Sequence, residues 1–288
     1  MKKILLVGSD ISESPSPKMQ NTALAYMKLS EKIVYELHSI APEHFEKEIV
    51  GIKSDADVIG LNVTKPFKEA VIKHLDKSDR FTQICGSCNV IKVENGLWTG
   101  FNTDGYGYVM PLVRRDITLT DSSLLIFGAG GAARACILQS INNSIKKICV
   151  VNRNLDNAEK VKRDILSKTK FDPANFIVLG YNDLQNSKIS CIIKESKVIV
   201  NATPAFQGGG DLPFIFEPPM FSADSVIFDL SYYENPKSSL LEGARAAGCR
   251  IIRGLEMLMY QGHMSFFHWT AKKPPIFVMT RALDLRLG

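Results

Sequence analysis

Short apolar runs alternate with amphipathic stretches through most of this chain, the pattern of βα units laid into parallel sheets and not of an all-β or all-α domain. In the first third, the runs 3–7, 33–37 and 58–62 predict strands. Helices are predicted after Ser14-Pro-Ser-Pro17, near Pro42-Glu43 and from Pro66, because proline suits the first turn of a helix. Asn95-Gly96, between strands predicted at 89–93 and 97–101, is a two-residue hairpin signal and puts an antiparallel edge on the first sheet. A second series opens with a strand at 123–127, a glycine-rich turn, a helix over 132–141 and a strand at 147–151. Strands follow at 198–201, 225–230 and 250–252, with Gly248 capping the helix before the last. Residues 206–219, rich in Gly and Pro, read as a surface loop. Two final helices, near 255–269 and 276–285, bring no strand and are expected to return to the first domain. The fold class is therefore α/β: an open α/β domain over 1–103, a Rossmann-type dinucleotide-binding domain over 104–254, and C-terminal helices over 255–288.

Composition changes this picture little. The 288 residues are 45% hydrophobic and 23% charged, values of a folded two-domain chain that exclude disordered and collagen-like readings. The net charge of +5 is scattered, so no nucleic-acid partner is implied, and a mildly acidic small substrate suits it. No apolar run nears the ~20 residues of a membrane span, and the N-terminus turns polar at Gly8-Ser9-Asp10, unlike a secretory signal. A cytoplasmic protein with no membrane partner is expected. Six cysteines are too few for a disulfide framework. Cys85-Gly-Ser-Cys88 has redox or half-zinc spacing, but it lacks a second C-x-x-C or a His pair and precedes a strand. Two small side chains packed around Gly86 is the plainer reading, and no metal is expected.

The chemistry concentrates in a few segments. Gly128-Ala129-Gly130-Gly131-Ala132-Ala133 follows a predicted strand and opens a predicted helix, the context that makes a dinucleotide fingerprint credible. The first glycine allows the tight turn, Gly130 admits a pyrophosphate, and the helix N-terminus attracts the anion. The next strand ends in Asn152-Arg153-Asn154, with no carboxylate to bond the ribose of NAD and a guanidinium where a 2′-phosphate would lie. In the first domain, 62–68 (Asn-Val-Thr-Lys-Pro-Phe-Lys) ends a strand where open α/β sheets place ligands. Asn62 and Thr64 are candidates to bond substrate hydroxyls. By composition alone Lys68 reads as a solvated helix lysine and Asp104, in Asn102-Thr103-Asp104-Gly105, as a helix N-cap.

Together these segments resemble one family over nearly the whole chain, the shikimate dehydrogenases. Ser14-Pro-Ser16-Pro17 with Asn21 resembles its S-x-S-P…N turn, and Asn62-Val-Thr64-Lys-Pro66-Phe-Lys68 its N-V-T-x-P-x-K segment. Gly86-Ser-Cys-Asn89 is similar to its G-A-V-N-T, and Asn102-Thr103-Asp104-Gly105 to its N-T-D-G. The glycine turn, Asn152-Arg153, Asn201-Ala-Thr203, Asp229-Leu-Ser-Tyr232 and Gly254-x-x-Met257-Leu-x-x-Gln261 follow in the family's order. The departures are Glu13 where His is frequent, Val90 for a Thr, and 231–236 longer than the usual Tyr-x-Pro, which leaves Tyr232 and Tyr233 as alternatives. Asn154 and Asn157 stand where many members have Thr and a second Arg.

The resemblance implies NADPH-dependent, reversible reduction of 3-dehydroshikimate to shikimate in aromatic amino-acid biosynthesis. It makes Lys68 and Asp104 the catalytic pair, with Ser14, Ser16, Thr64, Asn89, Tyr232 and Gln261, beside the Asn62 already singled out, as the substrate shell. NADP would lie against Gly128, Ala129, Gly130, Gly131, Ala132, Asn152, Arg153, Asn154, Thr203, Leu230 and Gly254. A small-molecule substrate is the expected partner, of a monomer or homodimer. Two other readings are a quinate/shikimate dehydrogenase using NAD, and a cofactor-sensing protein that keeps the fold without turnover.

Overall fold

In the computed structural model, residues 1–185, 187–203, 215–232 and 238–287 are described. The chain divides into two compact units, Met1–Tyr108 with Leu258–Gly288, and Val109–Met257.

The first unit follows the order β1 (Lys2–Gly8), α1 (Ser16–Tyr26), β2 (Ile33–Ser39), α2 (Phe45–Ser54), β3 (Val58–Val63), β4 (Lys77–Ser78), α3 (Arg80–Cys85), β5 (Val90–Glu94), β6 (Leu97–Phe101), and it ends on the first turns of α4 (Asp104–Val113). Its six-stranded sheet has the order β2-β1-β3-β5-β6-β4. β1 is parallel to β2 and β3, and β5 and β6 run antiparallel through the Asn95-Gly96 turn, where both residues have positive φ. The core packs Leu5, Val7, Phe45, Leu61, Ile91 and Trp98 against the sheet.

One expected element is absent. No α-helix starts at Pro66; residues 65–69 form turns and a 3₁₀ helix spans Ala70–His74. The chain bends here to bury Phe67, whose ring stacks on Phe45 with centroids 4.3 Å apart. Lys68 therefore sits on a turn beside a fixed aromatic anchor, not a turn into a helix.

The second unit runs β7 (Ser123–Phe127), α5 (Gly131–Asn142), β8 (Lys147–Asn152), α6 (Leu155–Leu166), β9 (Phe176–Gly180), α7 (Ser187–Glu195), β10 (Val198–Asn201), β11 (Val226–Asp229), α8 (Ser239–Ala246) and β12 (Arg250–Arg253). The all-parallel order β12-β11-β10-β7-β8-β9 is the doubly wound arrangement, with its switch point between β7 and β10. The strands are apolar almost throughout, as a sheet covered on both faces requires. Sequence reading missed α6, β9 and α7. Gly248 adopts positive φ after α8, as expected of a helix C-terminus. The first part of the loop read at 206–219, through residue 214, lies outside the described residues.

Two helices close the chain, α9 (Gly254–Thr270) and α10 (Ile276–Ala282). From Leu258 onward they belong to the first unit. There Trp269 donates its indole N–H to the Ile91 carbonyl at 3.0 Å, and α10 packs on α1. A Cβ on Gly60 would come within 2.3 Å of the Trp269 ring, so the sheet needs glycine under that indole. Among the described residues no helix is long and apolar enough to cross a membrane.

Candidate functional site

In the first unit, two loops deliver opposite charges to one point. The turn after β3 carries Lys68, whose carbonyl accepts the Cys88 N–H at 2.8 Å. The loop after β6 delivers Asp104 at the start of α4, where Asn102 accepts the Asp104 N–H at 3.0 Å and anchors itself on the Ser87 carbonyl. Asp104 is thus not the helix cap that its position suggests; Asn102 bonds its backbone and frees the carboxylate. Lys68 Nζ donates to Asp104 Oδ2 at 2.5 Å, with the two side chains 17% and 5% exposed. Asn89 Nδ2 donates to the other oxygen, Oδ1, at 2.9 Å. Both oxygens of a buried carboxylate are therefore bonded, as a charge in that setting requires.

Asn89 is the hub. Its Oδ1 accepts the Thr103 N–H at 2.8 Å, and its Nδ2 also lies 3.0 Å from Thr103 Oγ1 and 3.2 Å from Gln261 Oε1. Gln261 is held in turn by donating to the Leu258 carbonyl. Asn62 is committed to protein partners: Oδ1 accepts from the Tyr35 hydroxyl at 2.8 Å, and Nδ2 donates to the Asn89 carbonyl at 3.0 Å and to Ser265 Oγ at 3.3 Å. It braces Asn89 from behind. Tyr35, Thr103 and Ser265 were not singled out by sequence reasoning. The available signal for Ser265 was its spacing of four residues from Gln261, which puts both on one face of α9.

Ser14, Ser16 and Thr64 lie outside this hydrogen-bonded group. Ser14 Oγ accepts the Ser16 N–H at 3.3 Å, and Ser16 is buried. Asn21 bonds both the N–H and the carbonyl of Tyr35 at 2.9 Å, tying α1 to β2. Cys85 ends α3 and Cys88 is buried, donating to the Val90 carbonyl. Burial pushes the Cys88 thiol up to about 12, so it stays protonated and inert, a packed side chain as its setting around Gly86 suggests.

In the second unit, Gly128 has φ +111°, and a Cβ there would meet the Ala202 carbonyl oxygen at 2.7 Å. Only glycine makes this turn. At Gly130, by contrast, a Cβ would meet nothing within 4 Å, and no side chain caps α5. The turn thus presents an open, uncapped helix N-terminus, which fits a pyrophosphate. Asn152 donates to the Asn154 carbonyl at 2.7 Å, and Asn154 caps α6 by accepting the Asn157 N–H, while Arg153 is exposed. Asn201 accepts the Thr203 N–H and donates to Asp229 Oδ1, joining the ends of β10 and β11. Gly254 packs against Leu230, whose carbonyl oxygen a Cβ would approach to 2.3 Å. Tyr232 is 40% exposed in this unit, and Tyr233 lies outside the described residues. Among the described residues no group of three or more His, Cys, Asp or Glu could hold a metal.

Comparison with known proteins places these features. Residues 6–91 match the family model of the shikimate dehydrogenase substrate binding domain. The shikimate dehydrogenase (NADP(+)) of Methanopyrus kandleri is 34% identical, covering 96% of this chain and 93% of that protein. A crystal structure of a shikimate dehydrogenase in complex with NADP+ superposes with TM-score 0.84 at 33% identity, over 99% of this chain and 95% of the other. The shikimate 5-dehydrogenase of Listeria monocytogenes, solved with shikimate and NAD, gives TM-score 0.84 at 29% identity, over 98% and 96% of the two chains. With that identity over nearly its full length, this chain belongs to the shikimate dehydrogenase family.

Proposed function

We propose that this protein catalyses the reversible, NADP-dependent reduction of 3-dehydroshikimate to shikimate. The observation that carries the reading is the Lys68–Asp104 pair held by Asn89 and Gln261, on the positions of the family's motifs. The first unit takes the substrate, with Ser14, Ser16 and Thr64 supplying further hydroxyls beside the Asn89 hub. The second takes the dinucleotide, with the 128–132 turn receiving the pyrophosphate and Leu230 and Gly254 forming a close-packed backbone beyond it. The family's motif pattern assigns Tyr232 to the substrate as well.

When bound, the nicotinamide of NADPH would supply the hydride that reduces the C3 carbonyl. Negative charge then grows on the carbonyl oxygen, and Lys68 Nζ stabilises it by hydrogen bonding and delivers the proton. Asp104 holds the ammonium in place, and Asn89 holds Asp104, so little reorganisation is needed as charge develops. In the oxidising direction Lys68 first gives up one proton to solvent and then, as the free amine, accepts the hydroxyl proton. Oxidation releases one proton overall, so it gains on reduction as pH rises.

Arg153 supports NADP over NAD, since no carboxylate ends β8 to bond the ribose diol and the guanidinium can meet a 2′-phosphate. All six cysteines are free thiols, which supports a reducing, cytoplasmic setting. The test is absorbance at 340 nm with purified protein. A rise that needs both shikimate and NADP+ is expected; no rise, or a faster one with quinate and NAD+, overturns the reading.

A further inference from the structure

Tyr35 reaches the site from the far edge of its sheet. It lies on β2, in register with Ile4 on β1, which is in register with Gly60 on β3. Asn62 is two residues further along β3 and faces the same side of the sheet as Gly60. The buried phenol extends across β1, toward a strand about 10 Å away, and donates to Asn62 Oδ1 at 2.8 Å. Asn21 clamps the Tyr35 backbone, and the Tyr35 ring lies 5.9 Å from the Trp269 ring. An asparagine amide has two ends of nearly the same shape, and its neighbours decide which is which. Asn62 Nδ2 faces two acceptors: the Asn89 carbonyl, and the Ser265 hydroxyl, whose own hydrogen goes to the Gln261 carbonyl at 2.8 Å. The oxygen end must then take a donor, and among the described residues Tyr35 is the one bonded to it. Asn89 is oriented by the same logic, because its Oδ1 accepts the Thr103 backbone N–H and leaves Nδ2 for Asp104 Oδ1.

We propose that Tyr35 is a positioning residue for the Lys68–Asp104 pair, acting through Asn62 and Asn89 and touching neither substrate nor cofactor. This role rests on the reading of that pair as the acid–base group of the reaction. The phenol holds the Asn62 amide in the orientation that gives the Asn89 carbonyl a side-chain donor. Asn89, fixed at that carbonyl and at both ends of its amide, presents one N–H to Asp104 Oδ1, and Asp104 holds Lys68 through its other oxygen. Without the hydroxyl, Asn62 Oδ1 is a buried acceptor with no donor, a costly state. Turning the amide over does not relieve it, because the oxygen then faces the Asn89 carbonyl and Ser265 Oγ. Either way Asn89 loses a fixed brace, and the displacement passes to the acid–base pair. A ring that served packing alone needs no hydroxyl, whose burial is unfavourable unless it is bonded.

The test is steady-state oxidation of shikimate with NADP+ by the full-length protein, well below its melting temperature, with NADP+ binding measured by calorimetry on the same preparations. Tyr35→Phe keeps the ring and removes only the hydroxyl. It should lower kcat about threefold to thirtyfold, the range for a residue coupled to a site it does not touch. KM for shikimate should change less than kcat does, and NADP+ affinity by less than twofold. Asn62→Ala should lower kcat at least as much, and Tyr35→Phe/Asn62→Ala should lose no more than Asn62→Ala alone. An unchanged kcat in Tyr35→Phe, whether or not its melting temperature falls, would show that the hydroxyl supports the fold alone and would overturn the proposal. Losses that multiply in the double variant, or an equal weakening of NADP+ binding, would overturn it too. The kcat of Tyr35→Phe decides the claim even if the double variant does not fold. If the wild type reduces no NADP+ with shikimate, the reading of the reaction fails and this role with it; if the wild type is active and Tyr35→Phe keeps its kcat, the role of Tyr35 alone fails.

Discussion

Removing Lys68 should separate chemistry from architecture. Lys68→Ala takes away the only cation bonded to Asp104 in the described contacts and leaves a carboxylate 5% exposed with Asn89 on one oxygen. Breaking a buried pair from one side costs about 3 to 5 kcal/mol when the remaining charge stays dry. Lys68 is 17% exposed, so water can enter the space it vacates, and a loss of about 1 to 3 kcal/mol in folding stability is expected. Activity should fall further, by about 10² to 10⁴, the range for one positioned acid–base group. That is about 2.7 to 5.5 kcal/mol of transition-state stabilisation. NADP+ binding, measured by calorimetry, should stay near wild type, because Gly128 and its neighbours are untouched. In Lys68→Ala/Asp104→Ala the orphaned carboxylate is gone, so the melting temperature should recover toward wild type while activity stays as low as in the single variant. If Lys68→Ala keeps more than about a tenth of wild-type kcat/KM, or if the double variant multiplies the two single losses, the pair does not act as one catalytic unit.

Other perturbations read other parts of the molecule. Gln261→Ala removes an acceptor from the Asn89 amide, and Ser14→Ala a hydroxyl from the turn before α1. Each should raise KM for shikimate by the worth of one hydrogen bond, about 0.5 to 1.5 kcal/mol, with NADP+ affinity unchanged; equal losses for both ligands would refute the division of roles. Gly128→Ala puts a Cβ 2.7 Å from the Ala202 carbonyl oxygen at a φ of +111°, so it should cost at least about 2 kcal/mol in a denaturant melt and abolish NADP+ binding. A variant that binds NADP+ normally would show that the turn has another shape. His263 hydrogen-bonds the Pro274 carbonyl through Nε2, while its buried Nδ1 has no partner, and burial holds its pKa below 6.5, as it does for His268. The unfolded chain then takes up these protons more readily, so stability present above pH 6.5 is lost as pH falls below it. His263→Gln should flatten the melting-temperature profile between about pH 7 and 5, and an unchanged slope would exclude His263 as a source.

How far the sequence could be read follows from the range over which each interaction acts. The strand runs, the Asn95-Gly96 hairpin and the 128–133 turn are local: each is a few consecutive residues whose periodicity or backbone demands decide the outcome. Pro66 was misread for a physical reason. Proline's preference for a first helical turn is weak beside the burial of Phe67 against Phe45, which bends the chain before a helix can form. β9 was missed because it lies at the edge of its sheet, pairing with β8 alone. The Asn89 hub is a different case. Its partners lie 14 to 172 residues away, and the Asn62–Ser265 bond that backs it joins residues 203 apart. No periodicity encodes such bonds, so in the sequence Asn89 and Gln261 are unremarkable polar residues until a family pattern sets them in order, Asn62 is marked only by its place at a strand end, and Asp104 reads as a helix cap. Long-range polar contacts also explain why Lys68 reads as a solvated lysine by composition and is part-buried here. What turns a surface residue type into a catalytic candidate is the carboxylate that the loop after β6 places against it, and that loop is fixed through Asn102 and Asn89 by bonds that do not involve the Lys68 side chain.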